Sequence, residues 1–552
     1  MSNKIKREKE PYSNAGVEII GQIMEYMLAM IVMAVCIAVP LYARDGYHQI
    51  GEAKFTAYKS VLMIGFVMLF VMTVVYLIFW LKDKKEWNVS VTDMMVVGYL
   101  ILSGISIVSG GFYEDALWGC SGWNMGFLSQ LSFVLLYLFL SRFGRYYRLI
   151  IAVLCSVAAV VFLIGVLHRM LIDPIGFYDG LADYQKAQFL STLGQATWYG
   201  SFLVVVLPLG IAVFLYTENR MWRVISGMYV FLGFCTLVTQ NSDSAYFALA
   251  GFMLVFFGVS VEKRDSLYRF VLICTLFLAA GKLMYFLLQI NPNPALEYDV
   301  ITRWILCSAA TWVLLVLCLF GCVILFVRKK LFQGNQNTYP VEKMFRTRKG
   351  IFLAVGGLLA GVILMIVLQA KNLLPEALAE RLQTISYFTW NDSWGNGRGR
   401  IWSFSVRMYG EESLLHKLFG VGPDCFNSYV TAYYSEEAQL LWGEKLLTNA
   451  HNEWLNMLIN AGLLGAVAYI GIFVTAIFRF LKKRPGNLLV TGVAACAVSY
   501  MAYNFFCYQQ VLCTPFIFIL LGIGEYILRK EEGYCRDGKS NGMLFLRNRS
   551  FK

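Results

Sequence analysis

Residues 448–471, TNAHNEWLNMLINAGLLGAVAYIG, put His451 at the start of an apolar run long enough to cross a bilayer as a helix. A helix N-terminus exposes unpaired N–H groups and a partial positive charge. It therefore favours an anion such as a diphosphate. The same field disfavours imidazolium and keeps a histidine neutral, the form a general base requires. Asn452, Asn456 and Asn460 follow at four-residue spacing and make one polar stripe. Such a stripe on a membrane helix turns toward the bundle or a wet cavity, so Asn452 and Asn456 are candidate substrate contacts. The alternative for His451 is an interfacial histidine that only caps its helix.

Three arginines, Arg398, Arg400 and Arg407, stand upstream in NDSWGNGRGRIWSFSVRMYG, which reads as a turn followed by a short amphipathic helix. A guanidinium matches phosphate oxygens with its planar fork. Arg400 is the candidate to stabilise a leaving anion, with Arg398 and Arg407 as nearby substitutes; Arg400 could instead be a snorkelling surface cation. LFGVGPDCF, residues 418–426, breaks the chain at two glycines and restarts it at Pro423. Lys282 lies mid-run, where a cation costs about 2.5–3.5 kcal/mol on insertion scales, so it needs a partner, with Glu25 and Asp243 as the available acids. Lys282 and Arg303 are candidates for a further substrate contact, and a buried ion pair is the structural alternative for Lys282. Asp392, Glu411, Glu412, Asp424 and Glu453 form no D-x-D-like cluster, so no metal site and no cofactor is expected. The thirteen cysteines fall mostly in apolar runs; Cys120 and Cys425 lie in expected outer loops and could pair.

Composition decides what positions these groups. The chain of 552 residues is 58% hydrophobic and 15% charged, against about 25% charged in a soluble domain. The pattern predicts an all-α polytopic membrane protein with about fourteen transmembrane helices, twelve being the alternative. Expected spans are 17–42, 57–81, 92–109, 124–141, 148–167, 197–216, 222–239, 244–260, 270–290, 303–327, 351–369, 452–480, 488–507 and 511–528. Among the short loops, Lys and Arg concentrate in alternate ones, which by the positive-inside rule places both termini in the cytoplasm. This dispersal argues against a nucleic-acid partner despite the net charge of +12. The expected organisation is a cytoplasmic N-terminus (1–16), an eleven-span bundle (17–369), a partly helical extracytoplasmic loop (370–451), a three-span bundle (452–528) and a basic cytoplasmic tail (529–552). The loop is too rich in aromatic and aliphatic residues to read as disordered.

GRGRIWSFSVRMYGEESLLHKLFGVGPDCF followed by AHNEWLNMLINAGLLG resembles the O-antigen ligase and O-antigen polymerase superfamily of bacterial membrane glycosyltransferases. STLGQATWYGSFLVVVLPLG, residues 191–210, is similar to another family segment, with Gln195 and Ala196 where Asn and Pro are common; Gln195 is thereby a candidate substrate contact. The resemblance implies a multi-pass protein of the bacterial inner membrane. It implies an undecaprenyl-diphosphate-linked glycan as donor and a glycan, lipid or protein acceptor, without a metal. Surrounding lipid and other envelope-assembly proteins are the further partners it suggests. By position, His451 matches the family's essential histidine and Arg400 its loop arginine. The chain departs from the family at TQNSDSAYFALAG, where Asp243 stands in place of a common arginine. A lipid-linked oligosaccharide flippase or other multispan exporter is the rival reading, although no repeated halves are visible.

Overall fold

The computed structural model describes residues 12–83, 88–261, 264–331, 389–482 and 489–532, with scattered positions between 350 and 379. The expected span 351–369 lies partly outside the described residues, and the helix expected from Pro375 and most of both expected cytoplasmic ends lie largely outside them.

The chain is a multi-pass membrane protein. Among the described residues, ten helices are long and apolar enough to cross a membrane: Glu18–Leu41, Ile50–Val75, Val91–Gly110, Tyr147–Arg169, Ala196–Tyr216, Arg220–Thr239, Asp243–Ser260, Asp265–Leu288, Ala309–Arg328 and Gly462–Lys482. Shorter apolar helices, Phe127–Phe143 and Leu489–Tyr503, and the more charged Thr514–Glu531 pack among them. Helix 196–216 is at the centre, buried along almost its whole length against 489–503 and 220–239. The only strands among the described residues are Phe189–Leu190 and Gly194–Gln195, a small antiparallel hairpin leading into that central helix.

Two expected spans are each divided. The run 452–480 is a short helix, Glu453–Asn460, followed by the crossing helix Gly462–Lys482. The break is at Gly462, whose φ of +68° is a left-handed conformation that glycine adopts without a Cβ clash. The run 303–327 divides at Ser308 into Val300–Cys307 and Ala309–Leu331. Lys282 explains how that second break is tolerated. Its ammonium donates to the carbonyls of Ile305 (3.2 Å), Leu306 (3.0 Å) and Ser308 (3.0 Å) and sits over the Trp312 ring. Neither expected acid is its partner; carbonyls left open where helix 300–307 ends neutralise it instead.

The segment expected as an extracytoplasmic loop has its own small core. Phe404, Met408, Val421, Phe426, Tyr429, Val430 and Ile459 are buried together, joined by Ala116 from an earlier loop. It is a folded cap rather than a ribbon lying on lipid. Cys120 and Cys425 are both free thiols.

Charged groups lock the opposite end of the bundle. Ser90 and Asp93 form a reciprocal capping box at the start of helix 91–110, which fixes the Asp93 carboxylate. Asp93 accepts from Tyr137 and pairs with Arg142 (3.2 Å) and with the buried Arg529. Arg479 holds Glu525 in a two-pronged pair alongside. Removing one member of such a group strands the others without compensation. Asp93→Ala is therefore expected to destabilise the protein by about 3–5 kcal/mol, read as a clear fall of the thermal midpoint in detergent. An unchanged midpoint would show that this carboxylate does not hold the helices together.

Candidate functional site

His451 precedes the short helix rather than lying in its first turn. Asn452 is the N-cap, its side chain accepting from the backbone N–H of Trp454 (3.0 Å) and Leu455 (3.1 Å). His451 has a left-handed backbone, φ +48°, and its N–H donates to the Asn449 side chain at 2.9 Å. This turns the imidazole against the Tyr508 ring, edge to face with centroids 5.4 Å apart. Asn456 accepts from the Ala450 N–H (3.3 Å) and so fixes the approach to His451. The two asparagines proposed as substrate contacts thus serve the backbone that presents the histidine.

The turn before the arginines is wound the wrong way for a helix. Gly395, Asn396 and Gly397 have φ of +59°, +61° and +85°, and regular helix starts only after them, at Arg398. Arg398 donates through Nε to the Phe506 carbonyl (3.0 Å) and through Nη1 to the Gly395 carbonyl (2.7 Å). Its positive charge reaches the imidazole. His451 is held neutral, its pKa lowered to about 4, chiefly by burial and then by the Arg398 guanidinium. Arg400 points elsewhere: it pairs with Asp392 at 3.1 Å and donates to the Leu441 carbonyl at 3.1 Å, and among the described residues it makes no contact with His451.

The two sequence motifs dock directly. The Val421 N–H donates to the Ile459 carbonyl (3.1 Å) and the Gly422 N–H to the Asn460 carbonyl (2.9 Å). Gly420, φ +82°, lies so close to Asn460 that a Cβ would strike its carbonyl. Asp424 accepts from the N–H groups of Cys120 and Met125, both at 2.9 Å, and carries the cap onto the bundle. Burial raises its pKa to about 7 and that of Glu453 to about 8.

The other expected contacts are dispersed. Lys282 is committed to its three carbonyls. Arg303 is exposed, and its guanidinium has no partner among the described residues. Gln195 is exposed at the end of the hairpin. Around Asp243 the structure has a second carboxylate, Asp299, whose pKa is raised to about 6 by burial and then by Asp243, with Arg398 opposing. The cation nearest this stretch in hydrogen-bonding terms is Arg169, bound to the carbonyls of Thr239 (2.6 Å), Ala187 (2.6 Å) and Gln240 (3.3 Å). Among the described residues, no three of His, Cys, Asp and Glu gather as they would to hold a metal ion.

Sequence reasoning missed the connection between the last two helices, residues 504–513. Phe506, Tyr508 and Gln509 all touch the site from there: Phe506 through Arg398, Tyr508 through His451, and Gln509 by donating its N–H to Glu453 at 2.7 Å. The run NFFCYQQ was its signal, a polar interruption too long for a simple turn between two spans.

Residues 304–470 match the family profile described as O-antigen ligase. The match, confined to that stretch, supports the superfamily that the sequence resembles. The matched stretch holds Arg398, Arg400, His451, Asn452 and Asn456, and leaves out Gln195, Lys282, Arg303 and the connection 504–513. No curated protein matches the chain by sequence. At the family level the match supports a membrane enzyme of glycan assembly, with a lipid-linked glycan donor and a glycan acceptor in general terms.

Because the guanidinium of Arg398 is the second cause of the low histidine pKa, Arg398→Gln is expected to raise the His451 value from about 4 toward its ordinary 6.5. Burial, the larger cause, keeps it below that value. Titration of histidine-labelled protein by NMR reads this shift; an unmoved His451 resonance would mean the two groups do not interact.

Proposed function

We propose that this chain is a glycosyltransferase of surface polysaccharide assembly in the bacterial inner membrane. It works at the outer face, with both termini in the cytoplasm, and moves glycan from an undecaprenyl-diphosphate donor to an acceptor hydroxyl without a metal. The observation carrying this reading is the neutral imidazole of His451 beside the guanidinium of Arg398, inside the segment that matches the family. The donor's diphosphate binds at Arg398, with Arg400 as a second cation on the same helix start. The acceptor hydroxyl loses its proton to His451 as its oxygen attacks the anomeric carbon. The bond from that carbon to the diphosphate oxygen breaks, and the departing diphosphate takes the electron pair against fixed positive charge. Polymerase and ligase differ only in which hydroxyl arrives, a lipid-linked repeat or a different acceptor.

A histidine with a pKa near 4 is a weak base, so the donor must strengthen it. A diphosphate bound at Arg398 offsets the guanidinium and adds negative charge, and both raise the histidine pKa. The acidic limb of kcat, which reports the bound complex, is thus expected at higher pH than the limb of kcat/KM, which reports free enzyme. Coincident limbs would remove His451 from the role of base.

Purified protein with lipid-linked donor tests the whole reading. Transfer is expected, and His451→Ala is expected to lower it by about 10²–10⁴-fold, the contribution of a positioned base. Arg398→Ala is expected to cost more than Arg400→Ala, because Arg398 is the guanidinium coupled to the histidine. Movement of donor across the membrane without conversion would favour an exporter instead.

A further inference from the structure

Glu453 is fully buried, close behind His451 in the chain, and holds the connection between helices 489–503 and 514–531 at two points. Its N–H donates to the Asn504 carbonyl at 2.9 Å, and its carboxyl oxygen Oε2 accepts from the Gln509 N–H at 2.7 Å. One residue thus grips both ends of the stretch 504–509. The first bond needs only a backbone. The second needs an accepting oxygen at the end of a side chain of this length.

Between those two points the stretch carries both groups that locate the site. The Phe506 carbonyl takes Arg398 Nε at 3.0 Å, and the Phe506 ring stacks on Trp402 with centroids 6.2 Å apart. The Tyr508 ring meets His451 at 5.4 Å and Trp123 at 4.9 Å. The N–H groups of Phe505 and Phe506 still bond back to Ala502 (3.3 Å) and Tyr503 (3.0 Å). Beyond them the chain leaves the helical state until helix Thr514–Glu531 begins. Next to Tyr508, the hold on it is Gln509, bound through its N–H to Glu453 and through its side chain to Gln130 at 3.0 Å. A backbone N–H inside an apolar bundle must keep a protein partner, so Gln509 stays with the Glu453 oxygen.

A carboxyl group so close to the histidine in sequence could instead pass protons, and the contacts separate the two roles. The accepting oxygen is engaged by a backbone N–H, and the His451 N–H goes to Asn449. Burial raises the Glu453 pKa to about 8, with the Gln509 N–H opposing. Near neutral pH the group is therefore mostly a neutral acid, whose accepting oxygen an amide reproduces. We infer that Glu453 is a positioning residue of the transfer reaction: by holding Gln509 it keeps the Tyr508 ring on His451 and the Phe506 carbonyl on Arg398. The inference rests on the proposed transfer reading for what the site does. It adds a residue that acts through the last helical connection, outside the segment that matches the family.

The test compares two full-length variants: Glu453→Gln, which keeps the oxygen, and Glu453→Met, which removes it at similar length. Histidine-labelled protein in detergent gives NMR signals for four histidines, and His451→Gln identifies those of His451. Glu453→Met is expected to move the His451 signals as Tyr508→Leu does, since both take the ring from the imidazole. It is also expected to raise the His451 pKa from about 4, because burial and the guanidinium charge are both lost there. With undecaprenyl-diphosphate-linked glycan extracted from the cells that make the protein, its kcat is expected to fall by up to about 10²-fold, the cost of roughly 1 Å of misplacement. Glu453→Gln is expected to match wild type in all three. If the Met variant does not fold, Glu453→Asp, which draws the oxygen back by one methylene, replaces it with the same expectations. Wild-type signals or a wild-type kcat in the folded variant would make Glu453 part of the fold alone and overturn the inference. So would a Gln variant that keeps the signals and loses kcat, the mark of a proton-transfer group, or one that behaves like Met. Moved signals in a protein whose wild type transfers nothing would sink the transferase reading and leave the placement of His451 by Glu453 standing.

Discussion

Backbone that leaves the helical state inside an apolar bundle must have its N–H and C=O groups satisfied by protein, because lipid offers no partner. Residues 504–513 are the place where this requirement shapes the site. Arg398 reaches in to the Phe506 carbonyl, Glu453 accepts from the Gln509 N–H, and the Glu453 N–H returns to the Asn504 carbonyl. Gln130 donates its amide to the Gln509 side chain at 3.0 Å. The bonds to the backbone repair a break in the last helical pair, and together with the Gln130 contact they bring in the arginine helix, the short helix after His451, and helix 127–143. The geometry around the histidine is therefore set by the need to close one polar interruption.

The crossing helices were legible because their signal is a long apolar run, which burial and a bilayer enforce alike. Their interruptions were not. Gly462 and Ser308 look like ordinary small residues in apolar sequence, yet each ends one helix and starts another. What makes those breaks tolerable lies far away in sequence: the turn at Gly420 packed on Asn460, and Lys282 capping the carbonyls before Ser308. The same limit governs the arginines. Arg398 and Arg400 sit two residues apart, and sequence favoured the second by its position in a motif. Three successive left-handed residues decide where the helix begins, and hence that Arg398 turns to the histidine while Arg400 turns to Asp392. Sequence expected a neutral His451 from a helix dipole; the structure gives the same state by burial and a guanidinium.

Hydrogen bonding also sorts the cations by what they are free to do. Arg169 spends its guanidinium on three carbonyls at the ends of neighbouring segments, and Arg269 caps Leu215 (2.9 Å) and Thr217 (2.8 Å) where helix 196–216 stops. Lys282 does the same for helix 300–307. Helix C-termini carry open carbonyls and partial negative charge, which suits a buried cation; Arg269 adds an ion pair with Asp265 at 2.7 Å. These three groups are saturated and structural.

Arg398 differs in degree and in surroundings. It uses Nε and one terminal nitrogen on carbonyls and keeps the other terminal nitrogen open among the described residues. Its charge acts on Asp299, which Asp243 also influences, and on a histidine that it helps to keep neutral. The guanidinium charge favours the ionised form of Asp299, whose pKa burial and then Asp243 raise to about 6. In the proposed function, a donor diphosphate is a further acceptor for that open nitrogen. The acid at position 243, where the family commonly has an arginine, then has a physical reading. It raises the Asp299 pKa, and Asp299 in turn feels the positive charge of Arg398.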